Sequence, residues 1–526
     1  MRSARIIYHL ARADFLERVR RYSFLVMLGL VLLLGYQTAI GNVRLQLGQY
    51  RGEFNSAWIA GMMSIIITFF LGWFGFYLVK GSVARDRETG VGQIMATTPM
   101  SRPAYMLGKW ISNFAILMAM VLILMIIGLV IQLISGESRQ IDLAVYLAPF
   151  LYIVMPLMAL VAAVAVFFEV IPFLSGGFGN IVYFFAFVMI IPFTMETIKS
   201  TPALEPLGMA LLKADMAQEV LQVYPDYDGS FMLGGLDTPI QGTFTWTGID
   251  WTAPVIATRF GYIGLAVLVT LAGSLFFDRF DPSRRKPRRK KGTVSANAME
   301  QVDQTQGRVV PISEPLPVVR LTPLNRSASR FRFVNVLLAE LKLMLKGQHW
   351  WWYAGAAGLI IAGLVNSVEV TRQYVLPLAW IWPILLVSPI GNREARFNMR
   401  QIAFSSASPL WRQLPAQWLA GFIVVLLMGS GAALKFMIGG DTVGLLAFLS
   451  GALFIPSLAL ALGVWSGSSK PFEIVYVSLW YLGPLNKVPG LDFIGAQTNG
   501  RPEFFIPFSL ALIAFAFFGR ARQLRN

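Results

Sequence analysis

Long apolar runs separated by short polar segments set the pattern of this chain. Twelve runs fall at approximately 22–40, 58–79, 110–134, 146–168, 178–195, 259–277, 350–366, 375–391, 415–437, 443–465, 474–486 and 504–519. A helix of about 20 apolar residues crosses a hydrocarbon layer of about 30 Å, and most of these runs approach that length. The short alternating segments of a membrane β-barrel are not seen. The pattern predicts an all-α polytopic membrane protein with about 12 spans. The first run follows a basic segment, as a secretory signal would. Its apolar stretch is too long for a signal core and no convincing A-x-A site follows, so it reads as a retained helix.

The polar segments repeat an order. In residues 1–21, Ile6, Ile7, Leu10, Phe15 and Leu16 alternate with Arg2, Arg5, Arg12, Arg18 and Arg20, a pattern that suits a helix lying along a membrane surface. Val334, Leu337, Leu338, Leu341 and Leu345 repeat the device around Glu340, Lys342 and Lys346, just before Trp350. Six runs follow each. The reading is a first unit over 1–277, a linker over 278–332 and a second unit over 333–526. The linker is rich in Ser, Thr, Pro and Gln with little apolar periodicity. The units differ between their fifth and sixth runs, where the first carries an external loop, 196–258, and the second only 487–503. Within Thr201 to Tyr224 the spacing of Leu204, Leu207, Leu211, Leu212, Met216, Val220 and Leu221 predicts an amphipathic helix that caps the outer mouth or lies in the outer leaflet.

Composition agrees: 56% of residues are hydrophobic and 14% charged, against about a quarter charged in soluble domains. Lys and Arg are retained on the cytoplasmic side of a membrane. The segments assigned there, both termini included, together carry +22, and the external ones −7. The net charge of +16 then reflects orientation in a plasma (inner) membrane rather than nucleic-acid binding. In the linker, Arg284, Arg285, Lys286, Arg288, Arg289, Lys290 and Lys291 suit anionic lipid head groups and serve equally as a topology anchor. With no Cys and two His, thiolate and histidine metal sites are excluded.

Few charges fall inside the runs. Glu169 and Lys435 lie near run ends, within reach of interfacial water, whereas ion-coupled transport favours deeper carboxylates. Leu174-Ser175-Gly176-Gly177-Phe178 shares four letters with an ATPase signature but reads as a turn. Gly81 to Gly90 misses the spacing of the facilitator loop by one residue on either side of Asp86-Arg87. Gly108-Lys109 is no P-loop, because Pro103 stands where the first Gly belongs. No nucleotide-binding, HExxH or G-x-S-x-G string occurs, so neither catalytic residues nor a cofactor site is expected.

One polar segment recurs. Gln93, Ile94, Trp110 and Phe114 reappear 308 residues later as Gln401, Ile402, Trp418 and Phe422, each set preceded by an Arg-Glu pair, Arg87-Glu88 and Arg393-Glu394. Trp110 and Trp418 read as interfacial anchors. The stretch from Arg87 through Gly90, Thr97, Pro99, Ser101, Arg102 and Tyr105 to Lys109 resembles the loop after the second span of ABC-2 type permeases, approximately R-E-x-G-x-x-x-x-L-x-x-x-P-x-S-R-x-x-Y-x-x-G-K. That resemblance implies two tandem six-helix ABC-2 units, similar to type V exporters, in one chain. It also implies separate ABC ATPase subunits, two copies, that carry the ATP and Mg. Short coupling helices would dock them: Val91 to Thr98, with Gln93, Ile94, Met95 and Thr97 presented and Arg87 and Arg102 pairing with acids of the ATPase, and Met399 to Ser406, with Gln401, Ile402 and Ser405. The second copy lacks the Gly90 and Gly92 equivalents and two residues look inserted, which implies unequal docking sites. An ion-driven twelve-span transporter and a membrane scaffold or sensor are the alternative readings.

Overall fold

The computed structural model describes residues 2–20, 22–197, 204–234, 239–280, 333–346, 348–397, 399–406, 408–486, 488, 490–496 and 502–525. The basic cluster from Arg284 to Lys291 lies outside them. The first part of the chain runs α1 (Arg2–Val19), α2 (Tyr22–Ala39), β1 (Arg44–Leu47), β2 (Tyr50–Gly52), α3 (Ser56–Val79), α4 (Ser82–Glu88), α5 (Val91–Thr97), α6 (Arg102–Ser135) and α7 (Leu143–Pro149). It continues through α8 (Met155–Val170), α9 (Gly177–Thr197), α10 (Met209–Val223), β3 (Phe231–Gly234), β4 (Gly242–Phe244) and α11 (Ala253–Phe276). The second part holds α12 (Phe333–Leu345), α13 (Trp350–Val365), α14 (Val368–Val370), α15 (Leu376–Ile381), α16 (Ile384–Val387), α17 (Arg393–Arg396) and α18 (Arg400–Phe404). It ends with α19 (Pro409–Met428), α20 (Ser430–Ile438), α21 (Thr442–Ser466), α22 (Lys470–Trp480) and α23 (Phe505–Arg525).

Each boundary has a local cause. Asn55 caps α3 by accepting the Trp58 N–H at 2.8 Å, and Asp142 caps α7 through Ala144 and Val145 at 3.0 and 3.1 Å. Helix α6 begins eight residues before its apolar run because Ser101 caps it and Pro103 sits in its first turn. Gly81 and Gly90, both at positive φ, turn the chain between α3, α4 and α5 in a conformation other residues resist. Three π turns, at Phe150–Val154, Thr371–Val375 and Tyr481–Leu485, each lie beside or contain a proline (Pro156, Pro377, Pro484). The missing N–H there shifts the hydrogen-bond register.

Among the described residues, seven helices are long and apolar enough to cross a membrane: Ser56–Glu88, Arg102–Ser135, Leu143–Val170, Ala253–Phe276, Pro409–Met428, Thr442–Ser466 and Phe505–Arg525. The protein is a mostly helical, multi-pass membrane protein. The remaining apolar runs also form helices, several of them short or interrupted. α13 has 16 residues and α22 has 11, while Pro377 and Pro383 break the run at 375–391. Helix α3 is buried almost all round, with Trp58, Ile59, Ile65, Ile67 and Phe76 inaccessible. By contrast α6 and α11 leave Leu122, Ile126, Leu133, Leu268 and Leu275 bare, which suits an apolar solvent outside and a packed protein inside.

The all-α expectation needs one correction. A four-stranded sheet, in the order β3-β1-β2-β4, joins the loop after α2 to the loop before α11, with β1 antiparallel to β2 and β3 and β2 parallel to β4. The strands have only three or four residues, too short to register as periodicity. The amphipathic helix between α9 and β3 starts at Met209, later than its apolar spacing suggests, because Pro206 and the left-handed Gly208 precede it. Its apolar face does not project outward: Leu212, Met216 and Val220 are fully buried. Together with Trp246 this face covers the start of α3, and a methyl at Gly61 would lie 2.7 Å from the Trp246 ring and 2.9 Å from Met216. Gly61→Val should therefore cost about 1–3 kcal/mol by overpacking. Gly264→Ala, on an open face of α11, should be neutral or stabilise by about 0.5–1 kcal/mol. Thermal unfolding of the purified chain in detergent checks the contrast, and equal shifts would refute the packed cap.

Candidate functional site

At the end of α3 opposite the sheet, the chain leaves the bundle, makes α4 and α5, and re-enters as α6. A buried network of charges fixes this excursion. Lys109, 1% exposed, reaches Asp14 of α1 at 2.9 Å and Asp86 of α4 at 2.8 Å. Asp14 also pairs with Arg18 at 2.9 Å and accepts the Ser112 hydroxyl at 2.7 Å, and Asp86 accepts the Tyr105 hydroxyl at 2.6 Å. Arg18 goes on to the Val79 carbonyl and Asn113. Burial alone would raise the Asp14 carboxyl, but Arg18 and Lys109 hold it down at about 2. Arg85 adds a bond to Glu17 at 2.8 Å. From below, the segment after α11 clamps α5. Phe277 stacks on Tyr105 with centroids 4.7 Å apart, Arg279 donates to the Thr98 carbonyl at 2.7 Å, and Phe280 lies against Gly92.

The second excursion, α17 and α18 between α16 and α19, repeats this construction at one register. Arg85 and Asp86 plus 308 are Arg393 and Glu394. Arg393 bonds Glu340 of α12 at 2.6 Å, as Arg85 bonds Glu17 of α1. Lys109 plus 308 is Gln417, which donates to Glu394 at 2.7 Å, as Lys109 pairs with Asp86. Burial pushes the Glu340 carboxyl up, and Arg393 opposes it. The threonine hydroxyls of Thr97 and Thr98 close α5 on the Ile94 and Met95 carbonyls at 2.8 and 2.7 Å. Ser405 and Ser406 close α18 on Ile402 and Ala403 at 2.9 and 2.8 Å. Here the C-terminal part of α23 acts as clamp: Arg520 pairs with Glu394 at 3.2 Å and lies over the Phe404 ring.

These two anchored excursions lie on a multi-pass helical bundle whose first part carries a recognisable family pattern. The sequence profile described as ABC-2 family transporter protein matches residues 8–280. The chain belongs to the ABC-2 transporter family. No curated protein matches the sequence at a significant level. The matched part of this permease holds α2 to α11, most of α1 and the whole first charge network.

The structure revises several sequence-based assignments in the permease. The acid that follows Arg393 corresponds to Asp86, not Glu88, so the repeat is Arg85-Asp86 with Arg393-Glu394 and no insertion is needed. Arg87 already pairs with Asp278 at 2.9 Å, and Arg393 and Glu394 are engaged inside the chain. Glu394 is buried and Arg393 half-buried, so these two position the second loop, whereas Arg87 stays exposed while paired. Glu88 is exposed and Arg102 half-buried. Exposed on α5 and α18 are Val91, Gln93, Ile94 and Thr97, and Gln401, Ile402 and Ser405, with Met399 just before α18. Met95 turns inward against Tyr105 and Phe280. Gly90 provides the turn into α5. Trp110 and Trp418 are not solvent-facing anchors: their indole N–H groups donate to the Ala159 carbonyl at 2.9 Å and the Ser457 hydroxyl at 3.0 Å. Glu169 is buried, and takes backbone N–H bonds from Gly81, Ser82, Val83 and Ala84. A carboxylate at the start of α4, where these four amides have no partner within the helix, is favoured electrostatically.

One feature lay in the sequence unread. Asn180-Ile181-Val182-Tyr183 recurs as Glu473-Ile474-Val475-Tyr476 at an offset of 293. The Tyr183 hydroxyl donates to the Gly72 carbonyl, and Tyr476 to the Trp380 carbonyl, which are again 308 apart. Asn180 itself donates to Glu473, so these two positions meet between the parts of the chain.

Lys109→Ala would leave Asp14 and Asp86 buried with one cation fewer, and the expected loss is about 3–5 kcal/mol. Gln417→Ala removes a hydrogen bond to an acid that keeps Arg520 and Gln413, so about 1–3 kcal/mol is expected. Unfolding midpoints of the two purified variants decide this, and a Lys109→Ala shift no larger than that of Gln417→Ala would contradict the network.

Proposed function

We propose that this chain is the transmembrane part of an ATP-driven ABC exporter, built as two fused six-span units facing each other around a transport pathway. The observation that carries the reading is the pair Ile94 and Ile402. Each is a bare aliphatic side chain, 68% and 71% exposed, on a short helix that buried ion pairs hold at the same end of the bundle. Solvated surfaces tolerate isolated apolar residues. Two such residues at equivalent points of a repeated, rigidly held element are better explained by grooves on partner subunits. Transporters of this family normally work with ATPase subunits, and two copies would meet α5 and α18. ATP and Mg then belong to those subunits.

The two-unit reading is supported by parallel packing. α1 lies on α6 as α12 lies on α19, and α8 packs with α11 as α21 packs with α23. Counting interrupted helices, twelve membrane segments follow in two sets of six. On this reading the basic loops and both termini face the cytoplasm, the membrane is the plasma (inner) membrane, and the sheet with α10 faces outward. Trp73, Phe184 and Tyr481 meet where the units touch, with Phe184 and Tyr481 centroids 5.7 Å apart. An aromatic seam of this kind suits an amphiphilic or hydrophobic cargo.

The docking surfaces are not equal. Around Ile94 the face is neutral, with Val91, Gln93 and Thr97, whereas Arg396 and Arg400 stand exposed around Ile402. Purification of the full chain from its native membrane should bring down an ATPase. Ile94→Asp combined with Ile402→Asp should cut the co-purified ATPase by about tenfold or more, since a buried unpaired charge costs several kcal/mol, while the unfolding midpoint of the chain stays within a degree or so of the parent. Undiminished co-purification, or uptake driven by an ion gradient without any ATPase, would overturn the reading.

A further inference from the structure

The two parts of the chain meet through a buried polar cluster directly above the first loop. Lys80, the last residue before Gly81, sends its ammonium to the Leu174 and Gly176 carbonyls at 3.0 and 3.1 Å and to Asn180 Oδ1 at 2.7 Å. The other end of the Asn180 amide donates to Glu473 Oε2. One turn earlier on α22, Lys470 donates to the Lys80 carbonyl. The approach leaves no slack: a methyl at Gly177 would lie 2.7 Å from Glu473 Oε1, and one at Gly81 would lie 2.9 Å from the Lys470 ammonium. Asn180, Glu473 and Lys80 are nearly inaccessible to water.

By the registers of 308 and 293, the counterpart of Lys80 is Ser388 and that of Lys470 is Gly177. The reciprocal stitch cannot form. Ser388 is too short to reach across to Glu473 as Lys80 reaches Asn180, and Gly177 has no side chain to send to the backbone at Ser388. Among the described residues, side-chain hydrogen bonds tie the contact between equivalent positions to the first loop only. The tie is short and direct: α5 packs on α4, α4 begins at the left-handed Gly81, and Lys80 is covalently next.

We propose that Asn180 and Glu473 form a latch closing the loop end of the pathway, and that the first loop alone pulls it open, so that the two docking events have different work. Engagement of α5 carries α4 together with α1 and the start of α6, which Asp14, Asp86 and Lys109 bind to it, draws Lys80 away from Asn180 and from the Lys470 ammonium, and frees the Asn180 to Glu473 bond. Engagement of α18 leaves the latch closed, since among the described residues that loop approaches the seam only at the Gly467 turn before α22 and sends no side-chain hydrogen bond to Asn180 or Glu473. The inference rests on the docking reading above and adds which loop moves what.

The absence of native cysteines allows nitroxides at Phe173→Cys and Ser466→Cys, exposed positions preceding α9 and α22 that leave the latch intact. Pulsed dipolar distances on the full chain are read first without partners. Lys80→Met should raise the long-distance population roughly fivefold or more, and Ser388→Ala should leave it unchanged. The second reading uses the chain with its co-purified ATPase and ATP with Mg. The distance should lengthen, fail to lengthen with Ile94→Asp, and still lengthen with Ile402→Asp. Equal effects of Lys80→Met and Ser388→Ala, or lengthening abolished by Ile402→Asp but not by Ile94→Asp, would overturn the latch. Absence of any ATPase would sink the docking reading and leave the first comparison standing. A Lys80→Met chain that does not elute as a monodisperse peak is replaced by Asn180→Ala, for which the same increase is expected and no increase counts against the latch.

Discussion

Charge removed from water must be matched by opposite charge or by hydrogen-bond donors, because the desolvation penalty of an unmatched ion is several kcal/mol. The loop end of this protein is organised by that constraint. Asp14, Arg18, Asp86 and Lys109 neutralise one another in a space from which water is excluded, and they come from three elements, α1, α4 and α6. None of these elements could shift alone without exposing an unpaired charge. Two short helices that would be marginal in water thereby become fixed features of the bundle.

The second loop satisfies the same constraint with fewer charges. Gln417 replaces Lys109, so Glu394 is balanced instead by Arg520 from the last helix. The position of the loop is preserved while the chemistry holding it drifts. At the opposite end the parts differ more, since the sheet and α10 lie on the first part, over the start of α3. Trp246 and Phe244 fill the space against Gly61 and Trp58 there, and among the described residues the second part has no comparable cap. Under the proposed reading, one unit supplies the outer cover and the moving loop, and the other the counterface.

Much of the helical layout was legible in the chain. Each apolar run falls on helix, but those at 375–391, 415–437 and 474–486 are divided between elements, and polar first turns extend α6, α11 and α19 beyond the apolar stretch. The repeat at Gln93 and Gln401 was also legible, but its partner pair was misplaced, because Arg-Glu at 87–88 looks more like Arg-Glu at 393–394 than Arg-Asp at 85–86 does. Only the ion pairs to α1 and α12 identify the equivalent positions. The motif Ile-Val-Tyr was missed since its offset is 293 rather than 308, and a comparison at one period cannot see it. Glu169 was placed within reach of interfacial water and the two tryptophans were read as interfacial anchors on their place in the chain, whereas segments distant in sequence supply their partners.

By itself, then, the amino-acid sequence determined the solvent, the helix type and the approximate ends of the segments, because hydrophobicity and backbone hydrogen bonding act over contiguous residues. It also showed that one polar segment recurs. Tertiary structure alone decided which acid faces which base, that short strands from two remote loops join in one sheet, and that Asn180 meets Glu473 across 293 residues of chain. These outcomes depend on distances through space between residues far apart in the chain, and no local pattern of apolar and polar positions encodes them.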